Sequence, residues 1–318
     1  MSTLSRQLGL PRLTRFTGRF RRLLTATEFP LRAPSTPRGV APLAKPSRVG
    51  ADYDTDWARS TTAQVARAAL VEGPMRLAVA GLAAPERTGM DRLIDVDGPL
   101  IFAANHHSHL DTPLLLTSIP EPWRHRTVVA AAADYFFGNR VTAALSALTI
   151  GAVPMERTKV GRKSADRAAE LLEQGWSLLI YPEGGRSPDG WGQEFRGGAA
   201  YLSSRTGVPI VPVHLSGTSR ILQKGRSLPR PSHTTVTFGR PLRPQSGENA
   251  SRFAARIERE VAGLADESTS DWYQARLRAH REATPGLTGP TTGRWRRVWA
   301  LGDRRRGTKP RQRLWPDL

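Results

Sequence analysis

Pro99-Leu100-Ile101-Phe102-Ala103-Ala104-Asn105-His106-His107-Ser108-His109-Leu110-Asp111-Thr112-Pro113 is an apolar run that empties into a polar loop holding three of the chain's seven histidines. A short apolar run bounded by turn signals reads as a buried strand. Downstream the texture repeats at Thr127–Ala132, Ser177–Tyr181, Ile210–Leu215 and Thr234–Phe238, with helical patterns between. Lys163–Gln174, for example, sets Ala165, Ala168, Ala169, Leu171 and Leu172 at helical spacing and meets a stop at Gly175. Strands alternating with helices indicate an α/β domain whose ligands bind beyond the strand ends. Upstream, Asp56 is placed to cap a helix reaching about Glu72, and a second follows from Pro74 to Leu82. A last helix is expected over Ala254–Leu264. Pro209 and Pro212 give the run Val208–Val213 the look of an edge strand or a strand start.

Charge divides the chain more sharply than hydropathy does. The net charge is +19 over 318 residues, yet residues 1–50 set ten Lys/Arg against Glu28 alone, and residues 273–318 set twelve against Glu282, Asp303 and Asp317. The body between, 51–272, is almost neutral. That division predicts three parts: a basic tail over 1–50, a folded domain over 51–272, and a basic Trp/Arg-rich tail over 273–318. In the first tail Leu13, Phe16, Phe20, Leu23 and Leu24 fall at helical spacing among arginines, a basic amphipathic pattern suited to a lipid interface. Pro30–Pro46 reads as a linker. The second tail scatters Trp295, Trp299 and Trp315 among arginines. Such arms suit a polyanionic surface, and the neutral centre disfavours a dedicated nucleic-acid binder. No run of about 18 apolar residues exists to cross a membrane. The quiet stretch Ala143–Met155 is expected to be buried core. The start lacks a secretory h-region, so export is not expected. Zero cysteines exclude disulfides, thiolate metal sites and cysteine nucleophiles. Arg outnumbers Lys 42 to 5, the usage of a GC-rich bacterial genome.

His106 and Asp111 are five residues apart, about 140° on a continuous helix, so they meet only across a turn. Asp111 at a helix start with Pro113 in the first turn provides one. A carboxylate on one imidazole nitrogen holds the tautomer and raises the basicity of the other, which can then take a proton from a hydroxyl. The same loop supports a second reading. His107, His109 and Asp111 form an HxHxD string, the start of a zinc hydrolase signature, although that signature expects histidine where Thr112 stands. Tyr181-Pro182-Glu183-Gly184-Gly185-Arg186-Ser187 follows another apolar strand. Its two glycines let main-chain N–H groups face an anion, and Arg186 offers a planar fork for phosphate. Gly151-Ala152-Val153-Pro154-Met155-Glu156-Arg157 offers a further arginine.

In this order the segments resemble the glycerolipid acyltransferase family, the 1-acylglycerol-3-phosphate acyltransferases and their relatives. Asn105, His106, Ser108 and Asp111 match its NHxSxxD block, Gly151 and Arg157 its glycine-to-arginine block, Tyr181–Ser187 its FPEGTRS block, and Val211-Pro212-Val213 its VPV block. The resemblance spans about Leu93–Leu242 and covers neither arm. It implies a mixed, mainly parallel sheet flanked by helices, with His106 as general base and Asp111 orienting it. It also implies that Arg157, Glu183, Gly184, Gly185 and Arg186 bind the acceptor, a lysophospholipid such as 1-acylglycerol-3-phosphate. Acyl-CoA or acyl carrier protein would be the co-substrate donor, with no cofactor and no metal. Gly185 stands where the family has threonine, and Tyr181 replaces phenylalanine. With the arms, this makes a peripheral enzyme on the cytoplasmic face of an anionic membrane the expectation.

Overall fold

A computed structural model describes residues 49–156, 162–187, 191–222 and 228–289. The amphipathic pattern at 13–24, the linker 30–46 and the tryptophans beyond 290 lie outside the described residues. Among the described residues, seven strands form one sheet: β1 (Pro85–Thr88), β2 (Ile101–Ala104), β3 (Thr127–Ala132), β4 (Ala152–Met155), β5 (Ser177–Ile180), β6 (Ile210–Ser216) and β7 (Thr234–Phe238). Their order is β1-β7-β6-β2-β5-β3-β4. Every neighbouring pair is parallel except β6 with β7, so the sheet is mixed and mainly parallel.

The helices in chain order are α1 (Thr61–Leu70), α2 (Arg76–Ala83), α3 (Asp111–Ser118), α4 (Ala133–Phe136), α5 (Arg140–Ile150), α6 (Arg162–Glu173), α7 (Gly198–Thr206), α8 (Thr218–Ile221), α9 (Ala250–Thr269) and α10 (Trp272–His280). They cover both sheet faces, which is why β2 is buried at all four positions and shows no alternation. Ile101 and Ala103 pack with Val128, Leu178 and Leu172 on one face. Phe102 and Ala104 pack with Leu114, Leu115, Val211 and Phe238 on the other. The central strands thus hold the end of β2, where the histidine loop begins, between two cores.

Several expectations change. Ser60, not Asp56, caps α1 by accepting from Ala63 N, while Asp56 starts a separate short turn, Asp56–Arg59. Between α1 and α2 the chain widens into a π turn, Val71–Met75, around Pro74, whose ring carries no N–H for an ordinary helical bond. β6 is interior, not an edge. Val213 pairs with Phe238 while Ile210 bridges Leu242, so the β7 side carries one extra residue beside Pro212, and that bulge tolerates a residue with no N–H to give.

The quiet stretch 143–155 breaks at Gly151, in left-handed backbone at φ 63°, into α5 and β4. It is not uniformly buried: Ala143 and Ala147 are buried, whereas Leu145 is 56% exposed. The domain boundary expected at 272 falls inside packed chain, because α10 packs on α9 and Leu287 O accepts from Gly192 N. The folded body therefore extends to about 289.

Candidate active site

Asn105 closes β2 by pairing with the backbone of β6. Its Nδ2 donates to Leu215 O at 2.8 Å and its Oδ1 accepts from Leu215 N at 2.7 Å. That two-way grip fixes where the loop departs. The chain then turns, and Asp111 is the first residue of α3. The Nδ1 of His106 lies 2.8 Å from Asp111 Oδ2. The same oxygen accepts from His107 N at 2.7 Å and Ser108 N at 2.8 Å. Asp111 is fully buried, and burial opposes its charge. The His106 contact, the imidazole charge and the Ser108 N–H outweigh that and hold its carboxyl below the ordinary range. Position in the first turn of a helix favours the anion as well. An ionised carboxylate requires Nδ1–H, a tautomer assigned from the hydrogen-bond network, which leaves Nε2 as the basic nitrogen. The His106 ring stacks on Tyr181 with centroids 4.0 Å apart and planes 18° apart. Tyr181 OH lies 3.1 Å from Thr112 Oγ1, so the hydroxyl that distinguishes it from phenylalanine is anchored. Burial keeps that phenol neutral.

Glu183 lines the same cavity as His106 and also ties distant segments together. It is 1% exposed, Oε1 accepts from His106 N at 2.8 Å, and Oε2 accepts from Gln193 N at 2.9 Å. It joins the histidine loop to the glycine turn and to the strand of chain leading into α7. Ser187 N completes the joint by donating to His106 O at 2.8 Å. Burial raises the Glu183 carboxyl to about 8, even though the two N–H groups favour its charged form. The sign of the consequence follows from proton linkage. The folded pKa exceeds the unfolded one, so Glu183 contributes stability that is fully present below pH about 4.5 and lost as pH rises through about 8, with a slope of at most about 1.4 kcal/mol per unit. Wild type minus Glu183→Gln, measured by denaturant unfolding, is expected to shrink from pH 5 to pH 9. A difference that does not vary with pH sinks this assignment.

His106, Gly184, Gly185 and Arg186 line a cavity of about 610 Å³, joined by Val129–Ala132 of β3, Ile150 of α5 and Met155 of β4. One wall is therefore basic and polar, the other apolar. Arg157 lies outside the described residues. Three lining residues had no signal in the sequence: Tyr135, which stacks on His109 with its hydroxyl 3.2 Å from Nε2, Gln193, which donates to Gly185 O at 3.0 Å, and Arg196. Tyr135 lies in the short helix α4 and Gln193 and Arg196 in loop, and only long-range folding brings them to the site. The HxHxD set does not converge. Asp111 faces His106 and backbone amides, His109 turns to Tyr135, and among the described residues the ligand atoms close enough to share an ion belong to Glu72, Glu121 and His125. Arg124 already donates to both of those carboxylates.

Residues 84–216 match the acyltransferase family. Over 140 residues the chain is 34% identical to the chloroplastic 1-acyl-sn-glycerol-3-phosphate acyltransferase BAT2 of Brassica napus, a match covering 43% of this chain and 38% of that protein. It is 27% identical to the human 1-acyl-sn-glycerol-3-phosphate acyltransferase beta, over 50% of this chain and 56% of that one. The chain thus spans roughly two fifths to a little over half the length of these relatives. The crystal structure of the 1-acyl-sn-glycerophosphate acyltransferase PlsC from Thermotoga maritima superposes with a TM-score of 0.53 at 24% identity, covering 69% of this chain and 85% of that one, and shares the fold.

Proposed function

We propose that this chain, whose residues 84–216 match the acyltransferase family, moves a fatty acyl group from an acyl thioester to the free hydroxyl of 1-acylglycerol-3-phosphate, giving phosphatidic acid. The observation carrying this reading is the 2.8 Å contact between a fully buried Asp111 carboxylate and an imidazole that lines the cavity. Nε2 of His106 removes the hydroxyl proton while the acceptor oxygen attacks the thioester carbon. Asp111 stabilises the imidazolium so formed. The tetrahedral intermediate expels the thiolate, which takes the proton back from His106 and leaves as a thiol. The serine of a hydrolytic triad is replaced by the substrate's own alcohol. The apolar wall from β3, β4 and α5 suits an acyl chain, and Arg186 suits the head group.

The test is a thiol-release assay with acyl-CoA or acyl carrier protein as donor and a panel of lysolipids as acceptors. Stoichiometric thiol and phosphatidic acid are expected with 1-acylglycerol-3-phosphate, and activity is expected to survive a strong chelator. Hydrolysis without an acceptor, or abolition by the chelator, would sink the reading.

No helix among the described residues is long and apolar enough to cross a membrane. The proposed enzyme reaches its lipid peripherally, on the cytoplasmic face, through its basic arms. Each cation near an anionic leaflet contributes about 1 kcal/mol. Deleting residues 1–47 is expected to weaken binding to anionic vesicles more than turnover of a short-chain acceptor in free solution. Equal loss of both would rule out a tether.

A further inference from the structure

Several polar groups of the glycine turn are already engaged within the fold. The N–H of Gly184 donates to Tyr181 O at 3.0 Å, and that of Ser187 donates to His106 O at 2.8 Å. Both Glu183 oxygens face backbone amides. Beside the turn the cavity wall carries two guanidinium groups, Arg186 and Arg196, the cationic side chains suited to a phosphate there. Arg196 sits two residues before α7, and its own N–H donates to Pro182 O at 3.0 Å, which sets its side chain beside the turn. Gly184 lies directly against it. A Cβ at position 184 would stand 2.9 Å from Arg196 Cζ, 3.0 Å from Nε and 3.1 Å from Nη1. Position 184 disfavours a side chain through its left-handed backbone at φ 70°, and a Cβ there would push the Arg196 guanidinium from its place beside the turn.

We propose that Arg196 is a second cation of the head-group site, holding with Arg186 the phosphomonoester of the acceptor, and that glycine at 184 exists partly to seat it. The proposal rests on the acyltransferase reading above. A phosphomonoester carries about −1.5 to −2 at neutral pH with three strong acceptor oxygens, more than one planar fork satisfies. Arg196 is exposed as well as cavity-lining, so it stands where a head group arriving from solvent or from a lipid surface would meet it.

Arg196→Gln and Arg196→Lys in the full chain test this. With lysophosphatidic acid, R196Q is expected to raise KM about tenfold with a much smaller change in kcat, as loss of one charge-assisted fork implies. With an uncharged monoacylglycerol of the same chain length, the KM rise is expected to stay under about twofold. R196K is expected to recover only part, because an ammonium cannot reproduce the bidentate fork. Equal KM rises for both acceptors, or none for either, would overturn the proposal. Thermal protection of the full chain by glycerol 3-phosphate separates this from failure of the enzymatic reading. Should no acceptor be acylated, protection of wild type that R196Q loses still supports Arg196 as a phosphate ligand. Equal protection of both proteins, or of neither, overturns it. The unliganded unfolding midpoint reports whether R196Q folds, and if it does not, R196K carries the same comparisons.

Discussion

Replacing His106 with alanine is expected to lower kcat for thiol release by roughly 10²–10⁴-fold, the range lost with a positioned general base. KM for both substrates should move little, because the imidazole is one of many groups lining the cavity and its own contacts are to Asp111 and Tyr181. The fold should survive. Asp111 keeps the N–H groups of His107 and Ser108 after the imidazole is gone, so its buried charge is not orphaned. The structural cost is confined to the stack on Tyr181, on the order of 1 kcal/mol. Steady-state kinetics and a denaturation curve on one preparation decide the matter. Wild-type turnover in His106→Ala would remove the general base from the mechanism, and low turnover in an unfolded protein would say nothing of chemistry, which is why both are measured.

Asp111→Asn is the second large effect. Asparagine keeps the shape and retains one oxygen for the two amides and Nδ1–H, but it removes the charge that supports a developing imidazolium. A loss of roughly 10²–10⁴ in kcat is expected, comparable to the loss of the base itself. This variant has an independent thermodynamic signature. The folded pKa of Asp111 lies below its ordinary value of 3.8, so the stability it contributes is present above about pH 4 and lost as pH falls through the folded value. The gap in unfolding free energy between wild type and Asp111→Asn should be level from pH 5 to pH 8 and close under acid. A gap that persists unchanged well below pH 4 would mean the carboxylate is not held ionised by His106, and the orienting role would fall with it.

Most of the sheet and the His106–Asp111 pair were legible in the sequence, for local reasons. Buried strands announce themselves as apolar runs, so β2, β3, β5, β6 and β7 could be found within a residue or two. The edge strand β1, Pro-Glu-Arg-Thr, carries no apolar run because it is not fully buried, and β4 hid in a run continuous with α5. The His106–Asp111 pair was readable because five residues with a helix start between them leave few ways to meet. The bracing hydrogen bonds of Glu183 were not legible, for the converse reason. A carboxylate beside an arginine in a glycine turn looks like part of a ligand site, and nothing local says that two amides, 77 residues before it and ten after it, occupy its oxygens.

What the amino-acid order determined by itself is most of the buried strands, the motif pattern shared with the acyltransferase family and the pairing of His106 with Asp111, because these depend on periodicity, turn chemistry and side-chain type. Tertiary structure alone decided which strands lie at the edges, that Pro212 sits at an interior bulge, that Glu183 accepts from two distant amides, and that Arg196 reaches the cavity. Each of those depends on backbone partners far away in the chain, and hydrogen bonds between distant segments leave no mark on the local pattern of either one.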